Sequence, residues 1–284
     1  MTPASTDTVT WELSGFGDEV DPDPRLQCAV LLALGASHIE VRSAWDINIV
    51  ELDDARLAEL DGIIRASGLG VSAVASPIGK SDLAQPIEFE LGRLDRAIVA
   101  AGILGANYIR IFSFWQIDGA PVEDIRDEVI TRMRRLADRA EQGGVVLLHE
   151  NEKDIYGDIP ERVLDIVQSV DSPALRLAWD NANFVQVGVR PFTDGFAALA
   201  PYVDYLQVKD ATVATGDVVP AGEGDGELLQ TITALRDRGF RGFASLEPHL
   251  TNANPLGGFT GPAGYGRAAR AFRTLTDHAG VTLA

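Results

Sequence analysis

Three carboxylates in the second half of the chain each end a short apolar run. Glu150 ends the segment 145–150, Asp180 ends 175–180 and Glu247 ends 243–247. A fourth segment of the same kind, 205–210, ends in Lys209-Asp210. Carboxylates that end different strands meet in space only if the strands lie parallel with their C-terminal ends on one face. In α/β proteins, active sites are built at that face.

The three carboxylates would need a cation, because unpaired carboxylates at the mouth of a core repel one another and resist ionisation. Oxygen ligands without a thiolate favour Mg, Mn or a similar divalent ion over structural zinc. The alternative is a set of internal salt bridges with basic side chains, namely Arg42, Arg110 and Lys209. The salt bridge is the better interpretation of each carboxylate alone, and the metal is the better interpretation of all three together.

Two histidines and a lysine also lie near these predicted strand ends. His149 precedes Glu150 and should point the opposite way, toward the helix layer, so we expect a buried structural histidine. His249 shares the side of Glu247 and could reach a substrate. Lys153 lies in the loop 152–158, which either folds over the site or leaves the lysine solvated. The further polar residues predicted at strand ends are Asp18, Glu19, Glu40, Ser76, Asn151, Asn181, Asn183, Gln207 and Asp210.

The elements that would position these residues alternate regularly along the chain. β-Branched runs of about five to seven residues, typical of strands, alternate with longer amphipathic segments, typical of helices. One helix pattern is Ile125, Val129, Met133, Leu136 and Ala140. The strands are predicted to begin near Trp11, Ser37, Gly70, Asn107, Val145, Leu175, Val203 and Gly242. Left-handed helix ends are predicted at Gly35, Gly68, Gly105, Gly143 and Gly239.

Eight βα units in series predict an α/β fold of the (β/α)8 TIM-barrel type. We expect one domain over residues 1–284, with residues 1–10 as a disordered tail. The competing architecture is a doubly wound open sheet, but no strand is followed by a Gly-x-Gly-x-x-Gly turn. The glycine-rich stretch 222–226 is acidic and follows the seventh strand, so it is predicted to be a loop without a role in phosphate binding.

The composition limits the classes of binding partner and the location that we expect. The net charge of −18 disfavours nucleic acid and anionic membrane surfaces as partners. The single cysteine, Cys28, cannot form an internal disulfide and is predicted to be buried. The N-terminus lacks the pattern of a signal peptide and no apolar stretch is long enough for a membrane span, so we expect a cytoplasmic protein.

In the order in which they occur, several short motifs resemble the xylose isomerase-like TIM-barrel superfamily of sugar isomerases and epimerases, which includes the D-tagatose 3-epimerase and inosose isomerase groups. The resemblance covers nearly the whole chain and is specific for the superfamily but not for a substrate. The motifs are Leu148-His149-Glu150-Asn151, Trp179-Asp180-Asn181-Ala182-Asn183, Gln207-Val208-Lys209-Asp210, Gly222-Glu223-Gly224 and Leu246-Glu247-Pro248-His249.

The resemblance implies a divalent metal ion (Mn, Mg, Co or Zn) bound by Glu150, Asp180, Glu247 and the residue at position 207. Two positions depart from the superfamily pattern. Gln207 replaces a histidine ligand and offers only a carbonyl oxygen, which is a weaker ligand than imidazole. Asn183 replaces the usual substrate-binding histidine. Substrate binding is assigned to Asn183, His249, Lys153, Lys209 and Arg42, with a salt-bridge role as the alternative for Arg42.

The implied activity is isomerisation or epimerisation of a ketose or keto-cyclitol through an enediolate, with Glu150 and Glu247 as the acid–base pair. A lyase is the alternative, because the same enediolate can eliminate a leaving group, as in a keto-inositol dehydratase or a deglycosidase of an oxidised sugar. A non-catalytic sugar-binding barrel is the third hypothesis. An endonuclease for abasic DNA shares the fold but conflicts with the acidic charge. A homodimer or homotetramer is left open.

Overall fold

A computed structural model describes residues 9–251 and 257–284, and its centre is a ring of parallel strands. The strands begin within two residues of the predicted positions. They are β1 (Val9–Gly15), β2 (His38–Val41), β3 (Gly70–Ala75), β4 (Tyr108–Ile111), β5 (Val146–Glu150), β6 (Leu175–Asp180), β7 (Val203–Val208) and β8 (Phe243–Leu246).

The ring closes, which confirms the predicted barrel and excludes the open doubly wound sheet. From β2 to β8 each strand pairs in parallel with the next, and β8 pairs with β1. Between β1 and β2 the contact is a parallel bridge from Phe16 to Glu40, and the Ser37 N–H donates to the Leu13 carbonyl at 3.1 Å. All eight C-terminal strand ends therefore lie on one face.

Amphipathic helices cover the outside of the barrel. In α4, for example, the predicted stripe of Val129, Met133, Leu136 and Ala140 is fully buried, and Cys28 of α1 is buried as expected. The helices are α1 (Pro24–Ala33), α2 (Asp54–Ser67), α3 (Ile87–Leu104), α4 (Arg126–Gln142), α5 (Pro160–Val170), α6 (Asn181–Gln186), α7 (Leu228–Asp237) and α8 (Gly261–Ala279). Short helical turns lie at Gly17–Glu19, Ile49–Glu51, Val122–Ile125, Pro191–Phe196, Ala197–Leu199 and Ala200–Tyr202. None of the helices in the described ranges has the length and apolar character that a membrane span requires.

Three details differ from the sequence prediction. The left-handed residue after α4 is Gly144, at φ 69°, because Gly143 still has helical dihedral angles. A ninth strand, β9 (Val281–Leu283), pairs with the start of β1. That pairing orders Val9 and Thr10, which the prediction placed in a disordered tail; the rest of that tail, residues 1–8, lies outside the described residues.

The barrel interior is partly polar, and a chain of hydrogen-bonded side chains lies below its C-terminal mouth. The Tyr205 hydroxyl donates to Glu40 Oε2 at 2.8 Å and lies 2.8 Å from Ser72 Oγ. Ser72 in turn lies 2.6 Å from Ser14 Oγ. All four residues are fully or almost fully buried. Hydrogen bonding offsets the cost of burying these groups and gives Glu40 a fixed position just below the mouth.

Candidate active site

The three predicted carboxylates converge at the C-terminal mouth of the barrel. Glu150 and Asp180 are the last residues of β5 and β6, and Glu247 directly follows β8. One oxygen from each lies within 4.8 Å of the other two. Each of these residues is at most 2% exposed, so water does little to screen their repulsion. The prediction that strands five, six and eight bring their acids together is confirmed.

Basic side chains also reach these carboxylates, as the salt-bridge interpretation predicted. An Nη of Arg110 donates to Glu150 Oε2 at 2.8 Å. Lys209 Nζ lies 2.9 Å from Asp180 Oδ2 and donates to Glu247 Oε2 at 3.0 Å. Arg42 donates more distantly to Glu247 Oε1, at 3.4 Å. The ammonium of Lys209 thus occupies the place between Asp180 and Glu247.

The buried charges at the mouth do not balance. Burial raises the pKa of Asp180 to about 7; Lys209 opposes this shift and Glu150 adds to it. Burial likewise raises the pKa of Glu40 to about 7. Among the described residues, the buried cations at the mouth are Arg42, Arg110 and Lys209. The buried carboxylates around them include Asp18, Glu19, Glu40, Glu150, Asp180 and Glu247. A divalent cation fits this excess of negative charge.

Gln207, which pairs with Asp180 across β7 and β6, has an unused side-chain carbonyl oxygen. Its Nε2 donates to both carboxylate oxygens of Glu40, at 3.1 and 3.2 Å. Its Oε1 is buried and has no hydrogen-bond donor among the described residues. An orphaned buried acceptor is costly unless something pairs with it. Three carboxylates and a free carbonyl oxygen form a donor set suited to a hard divalent ion.

Asn183, a predicted substrate-binding residue, contacts the carboxylate cluster. Because α6 begins directly after Asp180, its first turn brings Asn183 back over the end of β5. The Asn183 backbone N–H donates to Asp180 Oδ1 at 2.8 Å, and Nδ2 donates to Glu150 Oε1 at 3.0 Å and to the Asn151 carbonyl at 2.8 Å. Both side-chain hydrogens are thereby committed, and Asn183 positions Glu150.

The small cavity at the mouth lies beside the carboxylate cluster. Of the residues predicted to bind substrate, it includes Arg42 and His249, and His249 Nε2 lies 3.4 Å from Glu247 Oε1. Lys209 is buried within the carboxylate cluster. The lining residues are Arg42, Asn48, Ala75, Pro77, Lys80, Arg110, Phe112, Glu152, Glu247, His249 and Gly257.

Lys80 lines the cavity, although the sequence did not single it out. Of the two interpretations of Lys153, the structure shows the solvated one, because Lys153 is exposed and is not among the lining residues. Lys80 follows Gly79, whose positive φ and close approach to the Phe112 carbonyl leave no room for a Cβ. The sequence signal was therefore the dipeptide Gly-Lys shortly after the third strand. The spatial neighbour, Phe112, could not be read from the sequence.

His149 is the buried structural histidine that the sequence predicted. It is fully buried, and burial lowers its pKa to about 3, so the ring is neutral. Its ring lies against Gly157, where a Cβ would collide with it. His149 therefore packs under the loop that follows β5 and takes no part in the carboxylate cluster.

Comparison with known proteins agrees with this architecture. A family model described as "Xylose isomerase-like TIM barrel" matches residues 28–275. A 2-epi-5-epi-valiolone 7-phosphate 2-epimerase from Actinoplanes sp. is 35% identical over 97 residues, which is 34% of this chain and only 34% of that protein.

Solved structures share the fold at low sequence identity. A D-tagatose 3-epimerase-like protein has a TM-score of 0.76 at 14% identity, covering 94% of this chain and 98% of that one. A probable 3-DHS dehydratase from Bacillus anthracis has a TM-score of 0.72 at 17% identity, covering 92% and 98%. A xylose isomerase-like TIM-barrel protein from Mycobacterium smegmatis, solved in complex with magnesium, has a TM-score of 0.66 at 21% identity, covering 96% and 98%.

Proposed function

Because the chain belongs to the xylose isomerase-like TIM-barrel family, we propose that it is a metal-dependent isomerase or epimerase of a ketose or keto-cyclitol. The observation that carries the proposal is the meeting of Glu150, Asp180 and Glu247 within 4.8 Å of one another at the catalytic face of the barrel. The curated relative and several structural neighbours bear the names of epimerases, which is consistent with this class of reaction.

The ion would be held by the three carboxylates and by Gln207 Oε1. Such oxygen ligands favour Mg or Mn over Zn. A bound divalent ion would polarise the substrate carbonyl and its neighbouring hydroxyl, which makes the adjacent C–H acidic enough to ionise. Lys209 would have to move away from Asp180 to admit the ion, and its flexible stem allows that while the ammonium stays near Glu247.

Glu247 is the proposed base. Its carboxylate lines the cavity, whereas Glu150 is enclosed by Arg110 and Asn183.

The two carboxyl groups also differ in pKa. Burial alone would raise the pKa of Glu247, but the positive charges of Lys209 and His249 have the larger effect and hold that pKa well below its ordinary value. Burial raises the pKa of Glu150. Two carboxyl groups with pKa values shifted in opposite directions divide naturally into a proton acceptor and a proton donor.

Solvent deuterium exchange tests this assignment. The manganese-loaded protein would be incubated in D2O with a panel that includes D-allulose, D-tagatose and keto-cyclitols, and exchange would be followed by NMR. Glu247→Gln should slow exchange by about 10²–10⁴-fold, the usual contribution of a general base. Glu161→Gln, which changes an exposed carboxylate in the first turn of α5, is the control. Undiminished exchange in Glu247→Gln would remove Glu247 as the base.

A lyase is the second candidate, and Lys209 is the observation that favours it. Elimination needs a proton donor for the leaving hydroxyl close to the base, and Lys209 Nζ lies 3.0 Å from Glu247 Oε2. Mass analysis of the product separates the two reactions, because only elimination of water lowers the mass of the substrate.

Metal titration separates both enzymes from a non-catalytic sugar-binding barrel. Chelator-treated protein would be titrated with Mn2+ in a calorimeter. One bound ion per chain, lost in Asp180→Asn, is expected for either enzyme. If no ion binds, the carboxylate cluster is held by its internal ion pairs alone and the metal-dependent mechanism is wrong.

A further inference from the structure

The cavity places basic side chains next to the carboxylate cluster. The carboxylates of Glu150, Asp180 and Glu247 come from the ends of β5, β6 and β8. The ends of β2, β3 and β4 and the segments that follow them add Arg42, Lys80 and Arg110 to the cavity lining. A substrate in the cavity would therefore meet fixed positive charge close to the carboxylates that would hold the metal.

Two of these basic groups lie on one aromatic ring. Lys80 Nζ is 4.1 Å and Arg110 Cζ is 4.5 Å from the centroid of the Phe112 ring. Phe112 itself lines the cavity and is buried. Contact with a ring face holds a cation in place without using its N–H donors. Both cations thus keep donors for a ligand.

Arg110 has a donor that nothing in the described chain uses. The side chain is 4% exposed and one Nη pairs with Glu150, yet its Nε is buried without an acceptor among residues 9–251 and 257–284. Lys80 Nζ donates to Glu152 Oε2 at 3.0 Å, which occupies one of its three donors. Arg42 is already committed to Asp18 and to the Gly258 carbonyl. Lys80 and Arg110 are therefore the two basic residues of the cavity that keep unused hydrogen-bond donors.

We propose that Lys80 and Arg110 bind an acidic group of the substrate, a carboxylate or a phosphate, in the cavity beside the carboxylate cluster. This proposal rests on the proposed function and specifies its substrate class. An oxyanion offers several acceptors to a guanidinium and a point charge to an ammonium, and such charge-assisted hydrogen bonds are about twice as strong as neutral ones.

Anion binding by the chelator-treated full chain tests the proposal independently of metal and turnover. The probes are inorganic phosphate and acetate, followed by calorimetry. Lys80→Gln should weaken binding of the preferred probe at least tenfold. Lys153→Gln is the matched control, because it removes an exposed lysine outside the cavity and should bind as the wild type does.

Each outcome has a distinct meaning. Preference for phosphate indicates a phosphorylated sugar or cyclitol, and preference for acetate indicates a sugar acid or keto acid. If neither probe binds, or if Lys80→Gln binds both as tightly as the wild type, the acidic-group proposal is overturned. Metal binding and deuterium exchange with neutral ketoses would be unaffected by that result, so failure of this proposal is separable from failure of the proposed function.

Discussion

Replacing Lys209 by methionine tests whether the lysine and a metal ion compete for one place. Lys209 is 3% exposed and its ammonium lies 2.9 Å from Asp180 and 3.0 Å from Glu247. Methionine keeps much of the length and apolar character of the side chain but removes the charge. Without a metal, the two carboxylates then face each other with no cation between them.

Removal of one partner from a buried ion pair costs about 3–5 kcal/mol. The lower end, about 3 kcal/mol, is expected for Lys209→Met, because Asp180, with its pKa raised to about 7, can relieve the repulsion by taking up a proton. Metal should reverse the loss. An ion at 100 times its dissociation constant stabilises the native state by about 2.7 kcal/mol, and in the variant it no longer has to displace an ammonium.

The assay is urea unfolding, followed by the fluorescence of the four tryptophans, in chelator and in excess Mn2+. Lys209→Met should be less stable than the wild type in chelator, and Mn2+ should bind it at least tenfold more tightly. Lys153→Met, at an exposed position, is the control. Equal stability of Lys209→Met and wild type in chelator, or weaker Mn2+ binding by the variant, would refute the idea of competition.

Three further predictions concern polar groups around the site. Burial raises the pKa of Glu40 from 4.5 to about 7, so the native state favours the protonated, neutral form of this side chain. The resulting contribution to stability is complete below pH 4.5 and is lost as the pH rises to 7. Measured by urea unfolding in chelator, the stability of Glu40→Gln relative to wild type should rise by about 3 kcal/mol over this range; parallel pH profiles would contradict the assignment. Gln207→His should tighten calorimetric Zn2+ or Co2+ binding at least tenfold, because imidazole is the better ligand for these ions; unchanged affinity would mean that Gln207 is not a ligand. Asp210 accepts hydrogen bonds from the N–H groups of three glycines in the loop 222–226. Asp210→Asn should therefore lower the free energy of unfolding in urea by about 1–3 kcal/mol. A loss below about 0.5 kcal/mol would show that other contacts fix the loop.

The carboxylate cluster could be predicted from the sequence because a parallel barrel leaves little freedom. Once apolar runs are recognised as successive parallel strands, their final residues must lie at one rim. Glu150 and Asp180 end their strands, and Glu247 follows its strand by one residue. The same regularity predicted that His149 would turn away from the site. Strand alternation and strand order carry this information, and both are local patterns.

Loops and helix starts were less predictable, because their side chains depend on contacts distant in the chain. Lys153 and Lys80 both lie in loops after strands, and only packing against Phe112 brings Lys80 to the cavity. Asn183 is two residues into α6, and the tight start of that helix turns it toward Glu150. The final strand β9 is only three residues long and has no pattern of its own.

The two departures from the superfamily pattern have a common physical consequence. At both positions an amide replaces a histidine, and each amide donates to a carboxylate: Asn183 to Glu150 and Gln207 to Glu40. An amide does so without titrating near neutral pH, whereas an imidazole must be in the right tautomer or charge state. The four residues proposed to bind the metal, Glu150, Asp180, Gln207 and Glu247, therefore offer only oxygen ligands. We infer that the substitutions act together to shift the site toward harder ions such as Mg or Mn, and to leave proton transfer to the carboxyl groups and Lys209.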